Sequence, residues 1–254
     1  MTHIRAVILD VDGTLVDSND AHAQAWSDTL KEAGLQIGSE AVRPLVGMGS
    51  DKLLPKLTDI EADSEQGKQL VGRRKEIFAK EYLPSVRPFP HANELLARMR
   101  ADGLQLVVAT SASEEELTGL LRALGAEWLK EDATSSSDAE RSKPDPDIVR
   151  VAVDKAGVGP ERCVMLGDTP YDVEAAARSR VRIIGLRCGG WGDEDLRGAA
   201  AIYDDPASLL AGYDDSLIGR GAQTATGRVR KDRNEGAGRR ERGHGEEETH
   251  GDRS

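Results

Sequence analysis

The 254-residue chain reads as an α/β protein, a doubly wound parallel-sheet core with an inserted α-helical segment and a disordered C-terminal tail. Three observations carry that reading. Short apolar runs alternate with amphipathic helical segments, the pattern of parallel strands joined by right-handed crossovers. The stretch after the first apolar run is helical throughout and breaks the alternation. Residues 219–254 contain one valine and no aromatic residue, too little apolar surface to offset the entropy of ordering.

Taken in order, AVILDVD (6–12), LQLVVATS (104–111), CVMLGD (163–168), VRIIGLRC (181–188) and AIYD (201–204) are the expected strands, continuous apolar runs suited to burial on both faces. The segments 91–103, 113–125, 145–157 and 170–180 place apolar residues at helical spacing, and the first three run into a glycine that can close a helix. Ser113 followed by Glu116 has the form of a capping box. Residues 19–86 offer four helical segments and no strand. The predicted organisation is therefore a core of residues 1–18 and 87–215, a helical insert over 19–86, and a tail over 219–254. Pro84, Pro88 and Pro90 stiffen the expected return from the insert.

Composition narrows the function. The net charge is −11 and the pI is about 5.0, which argues against a nucleic-acid partner. The tail is nearly balanced, with nine Lys and Arg against seven Asp and Glu, so residues 1–218 carry −13. No apolar run is long enough to span a bilayer, and strand-like sequence begins almost at once, so neither a membrane anchor nor a signal peptide is expected. Two cysteines, Cys163 and Cys188, make no disulfide framework and suit a reducing cytoplasm.

Ligands of an open parallel sheet bind beyond the carboxyl ends of its strands, and the polar residues gather there. The first strand ends in Asp10, Val11, Asp12, Gly13 and Thr14, the second in Thr110 and Ser111, and the run 163–168 in Gly167 and Asp168, with Asp172 one helical turn on. Lys143 sits in RSKPDPD, just before a helix. Alone, each has a bland role: an Asp after a strand forms turns or caps helices, hydroxyls cap helices, and most lysines are solvated. Together they put up to four carboxylates, two or three hydroxyls and one lysine on a single rim. Clustered carboxylates repel, and a divalent cation such as Mg²⁺ relieves the repulsion. The lysine and hydroxyls then suit an anion with several oxygens, most simply a phosphoryl group.

In their order, DVDGTLVDS (10–18), Thr110, Lys143 in SKPDP and GDTPYD (167–172) resemble the four motifs of the haloacid dehalogenase (HAD) superfamily. The helical insert resembles that superfamily's C1 cap on a Rossmann-like core, as in its phosphoglycolate phosphatase and β-phosphoglucomutase branch. The resemblance covers about residues 4–212. It implies that Asp10 is the nucleophile that becomes an aspartyl-phosphate, and that Asp12 is the general acid and base. Thr110, with Ser111 as the other candidate, and Lys143 would hold the phosphoryl oxygens. Asp10, the Asp12 carbonyl and Asp168 would bind Mg²⁺, with Asp172 in support. A halide leaves without a proton, so the acid at Asp12 favours phosphate esters over carbon–halogen cleavage.

His22 resembles a cap-hinge histidine of the mutases, although a capping or packing role fits it equally. Where the mutases place an arginine on a cap loop, this chain has Gly49, Ser50 and Asp51, with Lys52 the nearest cation. The expected function is thus a Mg²⁺-dependent cytoplasmic phosphatase for a small phosphorylated metabolite, acting as a monomer or homodimer. Its rivals are a sugar phosphate mutase, a dehalogenase and a non-catalytic binding protein.

Overall fold

The computed structural model describes residues 3–136 and 138–220. In chain order it contains β1 (Ala6–Leu9), β2 (Val16–Asp17), α1 (Asn19–Glu32), α2 (Ser39–Val42), α3 (Ser50–Leu57), α4 (Glu65–Ile77), β3 (Arg87–Pro88) and α5 (Ala92–Ala101). There follow β4 (Gln105–Ala109), α6 (Glu114–Leu124), β5 (Ala133–Thr134), α7 (Asp147–Ala156), β6 (Cys163–Gly167), α8 (Pro170–Arg178), β7 (Arg182–Leu186), β8 (Ala201–Tyr203) and α9 (Pro206–Ala211). Six strands form one parallel sheet in the order β5-β4-β1-β6-β7-β8.

The sheet is buried on both faces, and strand alternation shows how. Val7 and Leu9 of β1 point into one apolar cluster, with Leu95, Leu96, Leu117, Leu120 and Leu209 from α5, α6 and α9. Ala6 and Ile8 point into the other, with Ile148, Val149, Val173 and Ala176 from α7 and α8. Such two-sided burial explains why the strands read as unbroken apolar runs. The chain steps outward from β1 to β4 and β5, then returns to β6 on the opposite side. This reversal puts a topological switch point, the usual ligand crevice of such sheets, between β1 and β6.

Residues 19–85 supply helices α1 to α4 and no strand of this sheet. They hold an apolar cluster of their own, in which Trp26, Leu30, Leu53, Leu54 and Leu70 are buried. The segment leaves and returns along an antiparallel pair, Val16 opposite Pro88 and Asp17 opposite Arg87.

Besides the β2–β3 pair, three features depart from the sequence expectation. The strand β5 is only two residues long, too short to give a periodic signal, and pairs at the sheet edge with Val108 and Ala109. Helix α9 was not foreseen; it starts at a capping box of Asp205 and Ser208. The tail does not begin at Gly219: residues 217–220 are helical, Ile218 is buried, and Gly219 N donates to Ser216 Oγ at 3.1 Å. From residue 221 on, the expected disordered tail lies outside the described residues. Among those described, no helix is long and apolar enough to cross a membrane.

Candidate active site

At the switch point, β1 ends in Asp10, whose backbone N–H still donates to Leu166 O of β6 at 2.9 Å. The chain then curls through Gly13, which has φ +73°, a conformation open to glycine. A Cβ there would lie 2.0 Å from Asn19 Nδ2 and 2.3 Å from Asp168 Oδ2, so the curl also needs the missing side chain. It brings Thr14 back beneath Asp10. The Thr14 hydroxyl lies 3.0 Å from Asp10 Oδ2 and 2.9 Å from Asp168 Oδ1.

Lys143 arrives from the opposite side, almost fully buried. Its ammonium is hydrogen-bonded to Asp10 Oδ1 and makes a charge contact with Asp172 Oδ1 at 2.8 Å. The other oxygen of Asp172 closes the capping box of α8, accepting from Thr169 N at 3.1 Å and Thr169 Oγ1 at 2.7 Å. Local helix capping thus fixes the carboxylate that meets the lysine.

Asp10, Asp168 and Asp172 each offer an oxygen within 4.8 Å of the others, the geometry of a group able to hold a metal ion. The Asp12 carboxyl is not in that group. Two facts fit the cluster to a divalent cation. Three buried carboxylates against one ammonium leave a formal charge of −2, which such a cation cancels. The Thr14 hydroxyl has one hydrogen and two carboxylates beside it, so it can satisfy only one of them. Burial and mutual repulsion also shift the acidities. Burial pushes Asp10 up to about 7; Lys143 opposes the rise, while Asp172 and Asp12 add to it. Asp168 is raised by burial and by the charges of Asp10 and Asp172. For Lys143, burial works against the ammonium, but Asp10 and Asp172 outweigh it and hold the group charged.

Asp12 faces the other way. Its Oδ1 accepts from Ser18 Oγ at 2.6 Å and lies 2.8 Å from His22 Nε2. Burial alone would raise its pKa, but the charge and hydrogen bond of His22 and the Ser18 hydroxyl hold it below the usual value. His22 is stacked on Phe78, ring centroids 4.0 Å apart and nearly parallel. Arg74 Nη1 lies 3.4 Å from His22 Nδ1. Arginine can only donate, so this contact is a hydrogen bond only in the tautomer whose Nδ1 carries no proton.

Asp10, Asp12, His22, Thr110 and Ser111 line one cavity that opens to solvent. Its opposite wall is Trp26, Val46, Gly47, Met48 and Leu53 from the helical segment, with Arg74 and Glu116 at its end. Thr110 is buried, and its hydroxyl accepts from Ala112 N at 3.1 Å; Ser111 Oγ donates across the cavity to Gly47 O at 3.2 Å. Lys52 does not line the cavity. Its ammonium is paired with Asp145 at 2.9 Å.

Sequence reasoning missed three residues here. Asn19 donates through Nδ2 to Asp168 Oδ2 at 2.9 Å and to Gly189 O at 3.2 Å. Gly189 packs so closely that a Cβ would fall 1.7 Å from Asp168 Oδ2. Neither leaves a signal in spacing. Arg74 does: with Gly67, Leu70 and Ile77 it lies on the buried face of α4, a cation in an apolar stripe.

Residues 4–180 match the family model of the haloacid dehalogenase-like hydrolases. The chain is 31% identical over 215 residues to a phosphoglycolate phosphatase of Rhodospirillum rubrum, covering 81% of this chain and 89% of that protein. It is 31% identical over 219 residues to a Yersinia pestis phosphoglycolate phosphatase, covering 84% and 92%. Among solved structures it resembles a hydrolase from Pseudomonas syringae, with TM-score 0.78, 29% identity, and coverage of 83% and 98%. CbbY from Rhodobacter sphaeroides in complex with phosphate superposes with TM-score 0.71 and 27% identity, covering 83% and 99%. With the carboxylates, the lysine and the threonine in the order the motifs require, the chain belongs to the haloacid dehalogenase-like hydrolases and is a phosphatase of the phosphoglycolate phosphatase-like kind.

Proposed function

We propose that the protein is a Mg²⁺-dependent phosphatase that hydrolyses a small phosphorylated metabolite through an aspartyl-phosphate on Asp10. The observation that carries this reading is the buried Lys143 ammonium holding Asp10 at the floor of a cavity whose rim also carries Asp12. A carboxylate ion-paired to a lysine and fixed in direction is what attack on phosphorus requires. Asp10, Asp168 and Asp172, with the Asp12 carbonyl, would hold Mg²⁺, which when bound supplies charge neutralisation for the phosphoryl oxygens. Thr110, Ser111 and Lys143 would bind those oxygens from the protein side.

Asp12 then protonates the departing alcohol and, in the second step, takes a proton from water. Ser18 and His22 both occupy Oδ1, leaving Oδ2 as the oxygen that carries the transferred proton. A phosphoryl anion entering beside Asp12 raises its pKa by like-charge repulsion, which loads the acid when substrate binds. We assign residues 19–86 as a cap over a core of residues 1–18 and 87–215. Its residues Trp26, Val46 and Leu53 line the cavity that holds the reacting groups. The relatives named phosphoglycolate phosphatases support a small phosphorylated substrate. The free thiols of Cys163 and Cys188 support a cytoplasmic setting. The mutase reading loses ground: residues 49–51 carry no cation, and Lys52 is committed to Asp145.

The test is phosphate release from a panel of phosphorylated metabolites, with Mg²⁺ and with EDTA, for the wild type and Asp10→Asn. The expected result is turnover that EDTA abolishes and that falls at least about 10³-fold in the variant. An Asp10→Asn enzyme with normal rates would remove the nucleophile.

A further inference from the structure

Lys143 sits in a turn of residues 142–145, closed by Asp145 N donating to Ser142 O at 3.0 Å. The turn lies between β5 and α7, yet both of its ends are held by the start of α3 in the helical segment. At the first end, Ser142 Oγ donates to Asp51 Oδ1, and Ser142 N donates to Asp51 Oδ2 at 3.4 Å. Gly49 N donates to the same hydroxyl at 3.1 Å. At the other end, Lys52 Nζ lies 2.9 Å from Asp145 Oδ2. Asp51 and Lys52 are consecutive residues in the first turn of α3, so one short piece of helix carries both grips.

The two grips differ in kind. Asp51 takes a hydroxyl and an amide proton from one residue, which fixes the turn in orientation as well as in place. Gly49 permits the approach: a Cβ there would fall 2.5 Å from Ser142 Cβ. The Lys52–Asp145 pair is partly exposed and adds little to stability. Asp145 is also met from α8 by Arg178 at 3.2 Å, so that end of the turn is held from two sides. Between the ends stands Lys143, almost fully buried, with its ammonium on Asp10 and Asp172. None of Asp51, Lys52, Ser142 and Asp145 lines the catalytic cavity, so they reach the reaction through the residues they hold.

We propose that Asp51 is a positioning residue of this enzyme, with Lys52 in support: by gripping both ends of the turn, they aim the Lys143 ammonium at Asp10. The inference rests on the phosphatase reading above and deepens it, since in that reading Lys143 orients the attacking carboxylate. A lysine is a point charge on a flexible four-carbon stem, so its ammonium is placed only as well as the backbone that carries it. A misplacement of about 1 Å in such a group costs about 100-fold in rate. A carboxylate suits position 51 because its two oxygens accept at once from the hydroxyl and the backbone N–H of Ser142.

The experiment measures phosphate release with Mg²⁺ from p-nitrophenyl phosphate and from the best ester of the panel above, in wild type, Asp51→Ala, Ser142→Ala, the double variant and Asp51→Asn. In each alanine variant kcat should fall about 10-fold or more with KM within about threefold, the mark of lost transition-state positioning. The double variant should fall no further than the weaker single, because both changes remove one contact. Asp51→Asn keeps an oxygen for the Ser142 hydroxyl and should recover most of the rate. A second readout needs no turnover: the Nζ resonance of Lys143 in ¹⁵N-labelled protein, assigned by its loss in Lys143→Arg. It should shift in Asp51→Ala and return towards its wild-type position in Asp51→Asn. If Asp51 is only a strut for the helical segment, KM rises with kcat kept, the losses multiply in the double variant, or the lysine resonance stays in place; any of these overturns the proposal. A wild type that turns over no phosphoester with Mg²⁺ overturns the phosphatase reading instead, and the Lys143 resonance still decides whether Asp51 places the lysine.

Discussion

Asp168 shows how a single side chain here depends on what lies behind it. Thr14, Asn19 and the bare Gly189 surround it, and no water-sized gap separates Gly189 from its carboxylate. Gly189→Ala would force the carboxylate to move, at a cost of about 1–3 kcal/mol of overpacking. On the metal-binding role proposed for Asp168, the displaced carboxylate should raise the Mg²⁺ concentration for half-maximal activity about 10-fold or more, as outer-shell changes do. A titration of activity against Mg²⁺ reads this directly; an unchanged midpoint would show that Asp168 tolerates the shift. Asp10, Asp12, Lys143, Asp168 and Asp172 were legible in the sequence because they follow strands or precede a helix in a fixed order. Asn19 and Gly189 were not, because nothing in a linear pattern says that positions 149 residues and more apart share an oxygen.

At the scale of elements, the joint between α4 and α6 is the informative one. Residues 73–75 are three cations in a row, and only helical phase decides their fates. Arg73 faces outward to Glu32 and Glu76, while Arg74 turns inward to Glu116. The sequence predicted the capping box of Ser113 and Glu116, and the box is present. It did not predict that the same carboxyl would bind a cation from another element. Removing one partner of such a buried pair should destabilise the fold, so Glu116→Gln is expected to lose about 3 kcal/mol at pH 7. Because the folded-state pKa of Glu116 lies below its usual 4.5, the pair's contribution is present above that value. It fades as the pH falls from 4.5 through the folded pKa. Denaturant unfolding of wild type and variant should therefore converge in acid; a gap that persisted at low pH would show that shape rather than charge accounts for it.

For the whole molecule, the described residues contain the six-stranded sheet, the apolar clusters on its two faces and the buried acidic cluster with Lys143. Residues 221–254 contain one valine and no aromatic residue. Their deletion should leave kcat/KM within about threefold and thermal stability nearly unchanged. A large loss on deletion would place the tail in the working enzyme.

By itself the sequence determined the α/β class, the helical insert and the chemical set at the strand ends, since each is written in local periodicity, capping residues or motif order. Only the tertiary structure decided the two-residue edge strand β5, the choice of Arg74 over Arg73 as the inward cation, the diversion of Lys52 to Asp145, and the sharing of Thr14 between two carboxylates. The physical reason is range. Hydrophobic period and capping act within a few residues, whereas the pairing of buried charges is fixed by which surfaces meet once the chain has packed.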